Sequence, residues 1–146
     1  MEKEYFENFR QAIIIEYASE KVKAGAWTES EALDKSKASN AQLLPDGLQT
    51  RHHYFFCIKN TYLQTVGHLW LGKMTEALAW VYDITIFEEH RKKGYAAAAF
   101  AAVETYAKEL GYQKIGLNVF GHNTAARNLY EKLNYNTDSL QMSKQL

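Results

Sequence analysis

Apolar residues near the start of the chain recur at three- and four-residue spacing. Phe6, Phe9, Ile13, Tyr17 and Val22 form one stripe, which predicts an amphipathic helix from Glu4 to Ala24. Gly25 stands where such a helix takes its C-cap. Thr28-Glu29-Ser30-Glu31 then reads as a capping box for a second helix, which runs to about Leu44 and stops at the turn Pro45-Asp46-Gly47. From His53 the pattern changes to one of strands. His53 to Lys59 and Thr65 to Gly72 flank the hairpin connection Asn60-Thr61-Tyr62, and a third strand, Ala77 to Phe87, follows a turn around Lys73 to Glu76. An alanine-rich helix, Ala97 to Leu110, ends at Gly111. Strand Lys114 to Phe120, helix Thr124 to Leu133 and a last strand from about Ser139 to Lys144 complete the order.

Composition narrows the class. The chain has 146 residues, 47% hydrophobic and 23% charged, with a formal net charge of zero. That size suits one domain, residues 1–146, and the pattern contains no repeat, linker or low-complexity stretch. Zero net charge argues against a generic nucleic-acid binder, whose affinity comes from clustered Lys and Arg. No apolar run approaches the roughly 20 residues that span a bilayer. Cys57 is the single cysteine, so it has no partner for an internal disulfide, and no signal-like segment opens the chain; a reducing cytoplasm is the expected location. The histidines lack ligand-like spacing, so no metal is expected.

The densest chemistry lies between the third strand and the alanine helix, at Arg91-Lys92-Lys93-Gly94-Tyr95-Ala96. A helix N-terminus presents free amides and a positive dipole to the loop before it, which suits an anion such as a phosphate. Gly94 allows close backbone approach and dihedrals closed to other residues. The form Arg-x-x-Gly-x-Ala resembles the pyrophosphate-binding signature of the GCN5-related N-acetyltransferases: Gln or Arg, two residues, Gly, one residue, then Gly or Ala. A second segment agrees. Asn123-Thr124-Ala125-Ala126-Arg127-Asn128-Leu129-Tyr130-Glu131-Lys132-Leu133-Asn134-Tyr135 is similar to that family's stretch in which Asn, Ala and a helical Tyr precede a Lys-Leu-Gly-Tyr turn. The resemblance runs in register from about Ala77 to Tyr135. Asn134 stands where Gly is usual, and Asn tolerates the same left-handed conformation. The family's usual N-terminal strand is not visible before the first helix.

The resemblance implies an α/β (α+β) fold, with a mixed, mainly antiparallel sheet of about six strands and helices on both faces. It implies acetyl transfer from acetyl-CoA, as cosubstrate, to an amine of a small molecule or a protein, by direct attack in a ternary complex. The pyrophosphate would sit on the amides of Lys92, Lys93, Gly94, Tyr95 and Ala96, with Arg91 adding charge. The pantetheine arm would pair with the backbone of Ile84, Thr85 and Ile86, and an amide near Ile86 would polarise the thioester carbonyl. Asn123 would cap the last helix and bond the same arm. Tyr130 is the candidate proton donor to the departing thiolate, set against the plainer reading of an aromatic packed under the sheet. Asp83 is the candidate base, although strict strand alternation turns it to the face opposite Tyr82 and Ile84 unless a bulge intervenes. Glu88 and Glu89 read as solvated strand-end residues, and His68 and His122 as weaker candidates. The first two helices would either pack as core or wall the acceptor cleft. Alternatives from other classes are a non-catalytic acyl-CoA-binding module and an acyltransferase with a longer acyl donor. A homodimer through the last strand stays open.

Overall fold

The computed structural model describes all residues from Met1 to Leu146. Helices α1 (Lys3–Lys23) and α2 (Glu29–Leu43) come first. Strands β1 (His53–Lys59), β2 (Thr65–Lys73) and β3 (Leu78–Ile86) follow, then α3 (Tyr95–Glu109), β4 (Lys114–Leu117) and α4 (Thr124–Lys132). The four strands form one sheet in sequence order. β1–β2 and β2–β3 are antiparallel, and β3–β4 is parallel. The sheet is therefore mixed and mainly antiparallel, with helices on both faces.

Alternation along the strands builds two cores. On one face Leu69, Leu71, Ala79 and Val81 meet Phe100, Val103 and Ala107 of α3, with Tyr54, Phe56, Leu129 and Tyr130 packed around them. On the other, Phe55 and Trp70 meet Phe6, Phe9 and Ile13 of α1 and Leu44 after α2. Leu71 and Phe100 are fully buried, and each such side chain stabilises by about 1.5–3 kcal/mol. Helix α2 is tied to α1 by polar bonds as well. Ser36 Oγ donates to the Ile14 carbonyl at 2.7 Å, and Arg10 Nε donates to Asn40 Oδ1 at 2.6 Å. The Glu31 carboxylate accepts the Thr28 N–H at 3.1 Å, closing the start of α2.

Three expectations need correction. The sheet has four strands rather than about six. The segment 139–144 is not a strand: it is exposed throughout, with Leu140 75% and Met142 87% accessible, because no neighbouring strand offers it a ladder. The apolar stripe of α1 also shifts. Tyr17 is exposed, whereas Ile14 and Ala18 are buried, since α1 packs on α2 as well as on the sheet.

The feature that positions the site is a bulge. Trp70 pairs with Asp83 and Leu71 with Val81, so Tyr82 is an extra residue in β3. A bulge bends its strand and interrupts alternation. The β3–β4 pairing ends at the same place, at Val81 and Leu117. Beyond it β3 runs on to Ile86 paired with β2 only, and β3 and β4 part.

Candidate active site

The opening between β3 and β4 is lined by backbone on one side. Phe87 N–H donates to the Val66 carbonyl at 2.9 Å. Hydrogen bonding alternates along an antiparallel ladder, so the polar groups of Ile84 and Ile86 point away from β2 and into the opening. The Ile86 carbonyl is taken by Arg91 Nε at 3.1 Å. Thr85 is the exception among the three predicted residues. Its backbone is turned to its partner His68 in β2, and its part in the site is through the side chain, whose Oγ1 donates to Asp83 Oδ2 at 3.5 Å.

The strand leads directly into the basic loop. A short 3-10 turn, Glu88–His90, and extended Arg91 are followed by two left-handed residues, Lys92 (φ 58°) and Gly94 (φ 81°). A non-glycine residue in that conformation costs roughly 1–3 kcal/mol, and such strain gathers at functional sites. Alternating handedness turns successive N–H groups to one side, forming an anion-binding concavity. No backbone carbonyl accepts from Lys92, Lys93 or Gly94, and the first residues of α3 lack intrahelical acceptors by construction. A Cβ built on Gly94 would meet nothing within 4 Å. The hollow is open. Lys93 Nζ donates back to the Glu89 carbonyl at 2.8 Å, so its ammonium braces the loop. The terminal nitrogens of Arg91 make no hydrogen bond within the chain.

Tyr130 of α4 packs edge-on to Phe100 at 5.4 Å, and its hydroxyl is pushed up to about 12, by burial first and by the charge of Asp83 second. Asn123 caps α4, its Oδ1 accepting the Ala126 N–H at 3.2 Å. The bulge decides the facing of Asp83. Opposite Trp70, it lies on the α1 face together with Tyr82, whose ring stacks on Trp70 at 4.6 Å. Asp83 Oδ2 is 3.3 Å from His68 Nε2. On α1, burial and the charges of Asp83 and Glu20 raise the Glu16 carboxyl. Farther along that helix Glu20 pairs with His122, which precedes the Asn123 cap.

The structure thus sets Asp83, Ile84 and Ile86 on the strand that leads into the Arg91–Ala96 loop, with Tyr130 within range of the Asp83 charge and Asn123 at the head of the helix that carries Tyr130. Glu88 and Glu89 are exposed. No trio of His, Cys, Asp or Glu is placed to hold a metal ion, and no helix is long and apolar enough to cross a membrane. The α1 carboxylates Glu16 and Glu20 escape the sequence reading. The Glu20–His122 pair joins residues 102 positions apart, and no local pattern signals it.

The model of the acetyltransferase (GNAT) family matches residues 15–135. YycN of Bacillus subtilis (strain 168), an uncharacterized N-acetyltransferase, is 39% identical, covering 100% of this chain and 96% of its own. YdgE of the same organism, also an uncharacterized N-acetyltransferase, is 35% identical, covering 100% and 95%. The crystal structure of YycN superposes with a TM-score of 0.94 at 38% identity, covering 100% of this chain and 95% of that one. A distant likeness in fold alone is AAC(6')-Iy in complex with the bisubstrate analog CoA-S-monomethyl-acetylneamine, 15% identical with a TM-score of 0.58, covering 77% and 79%. With the matched region spanning the bulged strand, the Arg91–Ala96 loop and the Tyr130 helix, the chain belongs to the acetyltransferase (GNAT) family.

Proposed function

We propose that the chain is an N-acetyltransferase that moves an acetyl group from acetyl-CoA to an amine by direct attack in a ternary complex. One observation carries the reading. The edge of Ile84 and Ile86 that turns away from β2 leads through a short 3-10 turn to the free amides of Lys92, Lys93 and Gly94, donors and acceptors matched to an amide-bearing arm that ends in a pyrophosphate. The names of the two Bacillus relatives point to the same reaction class.

Each residue then has a physical task. The N–H groups of Lys92 to Ala96 receive the pyrophosphate at the positive end of α3, and Arg91 adds a full charge. Ile84 and Ile86 hold the pantetheine arm by strand-like pairing. An amide at Ile86 meets the thioester oxygen as charge develops on it. Asp83 takes the proton of the acceptor amine. The amine nitrogen bonds to the acetyl carbon, the carbon–sulfur bond breaks, and Tyr130 gives its phenolic proton to the sulfur.

The raised Tyr130 hydroxyl bears on that order of events. Resting Tyr130 is a weaker acid than free tyrosine, because it is buried and because Asp83 is charged nearby. Once Asp83 has accepted the amine proton, its charge is gone and the second cause disappears. Tyr130 becomes the better acid when a thiolate is about to leave.

The test is thermal unfolding with acetyl-CoA, beside a Gly94→Glu variant, followed by thiol release with a panel of alkylamines, amino acids and peptides bearing free N-termini or lysines. Ligand at 100 times its Kd stabilises by about 2.7 kcal/mol, a rise of roughly 5 °C or more. Glutamate at φ 81° is strained and repels the pyrophosphate, so the rise is expected to vanish in the variant. No rise in the wild-type chain overturns the donor site. A rise with no amine turned over leaves an acyl-CoA-binding module in place of an enzyme.

A further inference from the structure

His68 carries a cost that packing does not explain. It lies in the middle of β2, with its side chain only 8% exposed. Phe9 meets its ring edge-on at 4.7 Å and Phe87 at 5.8 Å. Its Nδ1 is buried and makes no hydrogen bond, and an unsatisfied buried polar atom destabilises the fold. Val66, Leu69 and Leu71 of the same strand are fully or almost fully buried without that cost. An apolar side chain would fill the space between the two phenylalanines at least as well. What it could not do is address Asp83.

The geometry around Asp83 is one-sided. His68 Nε2 stands 3.3 Å from Oδ2, and Thr85 Oγ1 reaches the same oxygen at 3.5 Å. Both neighbours lie on the Oδ2 side, and Oδ1 has no partner within the chain. The arrangement depends on the bulge, which brings Asp83 to the face that already carries His68. A buried N–H without an acceptor is rarer than a bare acceptor, so the ring proton belongs on Nε2, facing the carboxylate.

We propose that His68 is a positioning residue for the transfer step, its Nε2–H holding Oδ2 of Asp83 so that Oδ1 is presented to the acceptor amine. The proton passes from the amine nitrogen to Oδ1, and His68 keeps its own. This rests on the reading of Asp83 as the base. The desolvation cost at Nδ1 is then the consequence of placing a fixed donor behind a catalytic carboxylate, inside an apolar wall that keeps the ring from turning.

The experiment compares wild type with Asp83→Asn, His68→Leu and His68→Gln, using acetyl-CoA and the panel amine of highest turnover. Glutamine places an amide N–H near the position of Nε2; leucine does not. The expected result is a kcat lower by about tenfold or more in His68→Leu, an unchanged KM for acetyl-CoA, and recovery of most of the rate in His68→Gln. Wild-type kcat in His68→Leu overturns the proposal, as do equal losses in both His68 variants accompanied by equal drops in Tm. Wild-type kcat in Asp83→Asn overturns the base assignment on which it rests, and a panel with no turnover overturns the transferase reading and this proposal together. Two-bond 1H–15N NMR on the wild-type chain supplies a check independent of folding of the variants. An Nε2-protonated ring is expected, and an Nδ1-protonated ring overturns the proposal.

Discussion

Replacing Tyr130 with phenylalanine removes one oxygen and leaves the packing in place. The ring keeps its edge-on contact with Phe100 at 5.4 Å and its approach to Tyr135 at 6.0 Å. Only burial and the Asp83 charge act on the hydroxyl, so no hydrogen bond within the chain is lost and the fold should hold. The loss falls on the departing thiolate. General acids contribute about 10²–10⁴-fold, equivalent to about 2.7–5.4 kcal/mol of barrier. Tyr130 belongs at the low end of that range. Its rise from 10.0 to about 12 makes it a weaker acid, by about 2.7 kcal/mol at two units. We therefore expect kcat to fall by about 10²-fold, with the acetyl-CoA-induced rise in Tm unchanged. Thiol release under saturating acetyl-CoA, beside thermal unfolding of the same preparation, measures both. A variant that keeps wild-type kcat would refute the proton-donor role and leave Tyr130 as a core aromatic.

Other perturbations test the frame around the site. Because Tyr130 titrates higher folded than unfolded, its contribution to stability is fully present below pH 10 and is lost as the pH rises through 12. That loss amounts to about 2.7 kcal/mol by linkage, so urea unfolding of the wild type should weaken over this interval more than that of Tyr130→Phe. Tyr135, raised by burial and then by its bond to Glu104, pulls in the same direction in both proteins. Phe100→Ala empties the centre of the α3 core, where the side chain is fully buried. The expected loss is about 3–5 kcal/mol, visible as a Tm lower by roughly 10 °C. Gly67→Ala would drive a Cβ into the Thr85 carbonyl oxygen. Since a backbone atom cannot yield as a side chain does, β3 must shift beside Asp83, and both Tm and turnover should fall.

Much of the molecule was written in local pattern. The capping box at Thr28–Glu31, the three antiparallel strands, the alanine helix after Gly94 and the Asn123 cap each follow from a few neighbouring residues, because helix ends and turns are satisfied locally. The turn at Gly94 and the Asn123–Tyr135 segment were legible for the same reason: a left-handed turn into a helix needs its glycine and its helix start side by side. The segment 139–144 had strand-like composition but no partner, and a strand exists only where another edge completes its hydrogen bonds. Asp83 shows the limit of alternation most clearly. Its side follows from Tyr82 being extra opposite Trp70, a relation between two strands that neither one encodes alone. His68 beside Asp83, Glu20 beside His122 and Tyr130 within reach of the Asp83 charge are contacts across elements, made when the sheet and helices pack. The sequence by itself determined the four helices and the turn at Arg91–Ala96, whose bonds close within a few residues. Only the tertiary structure decided which carboxylate faces the opening and which histidine stands behind it, because register, bulge and burial are properties of strands brought together.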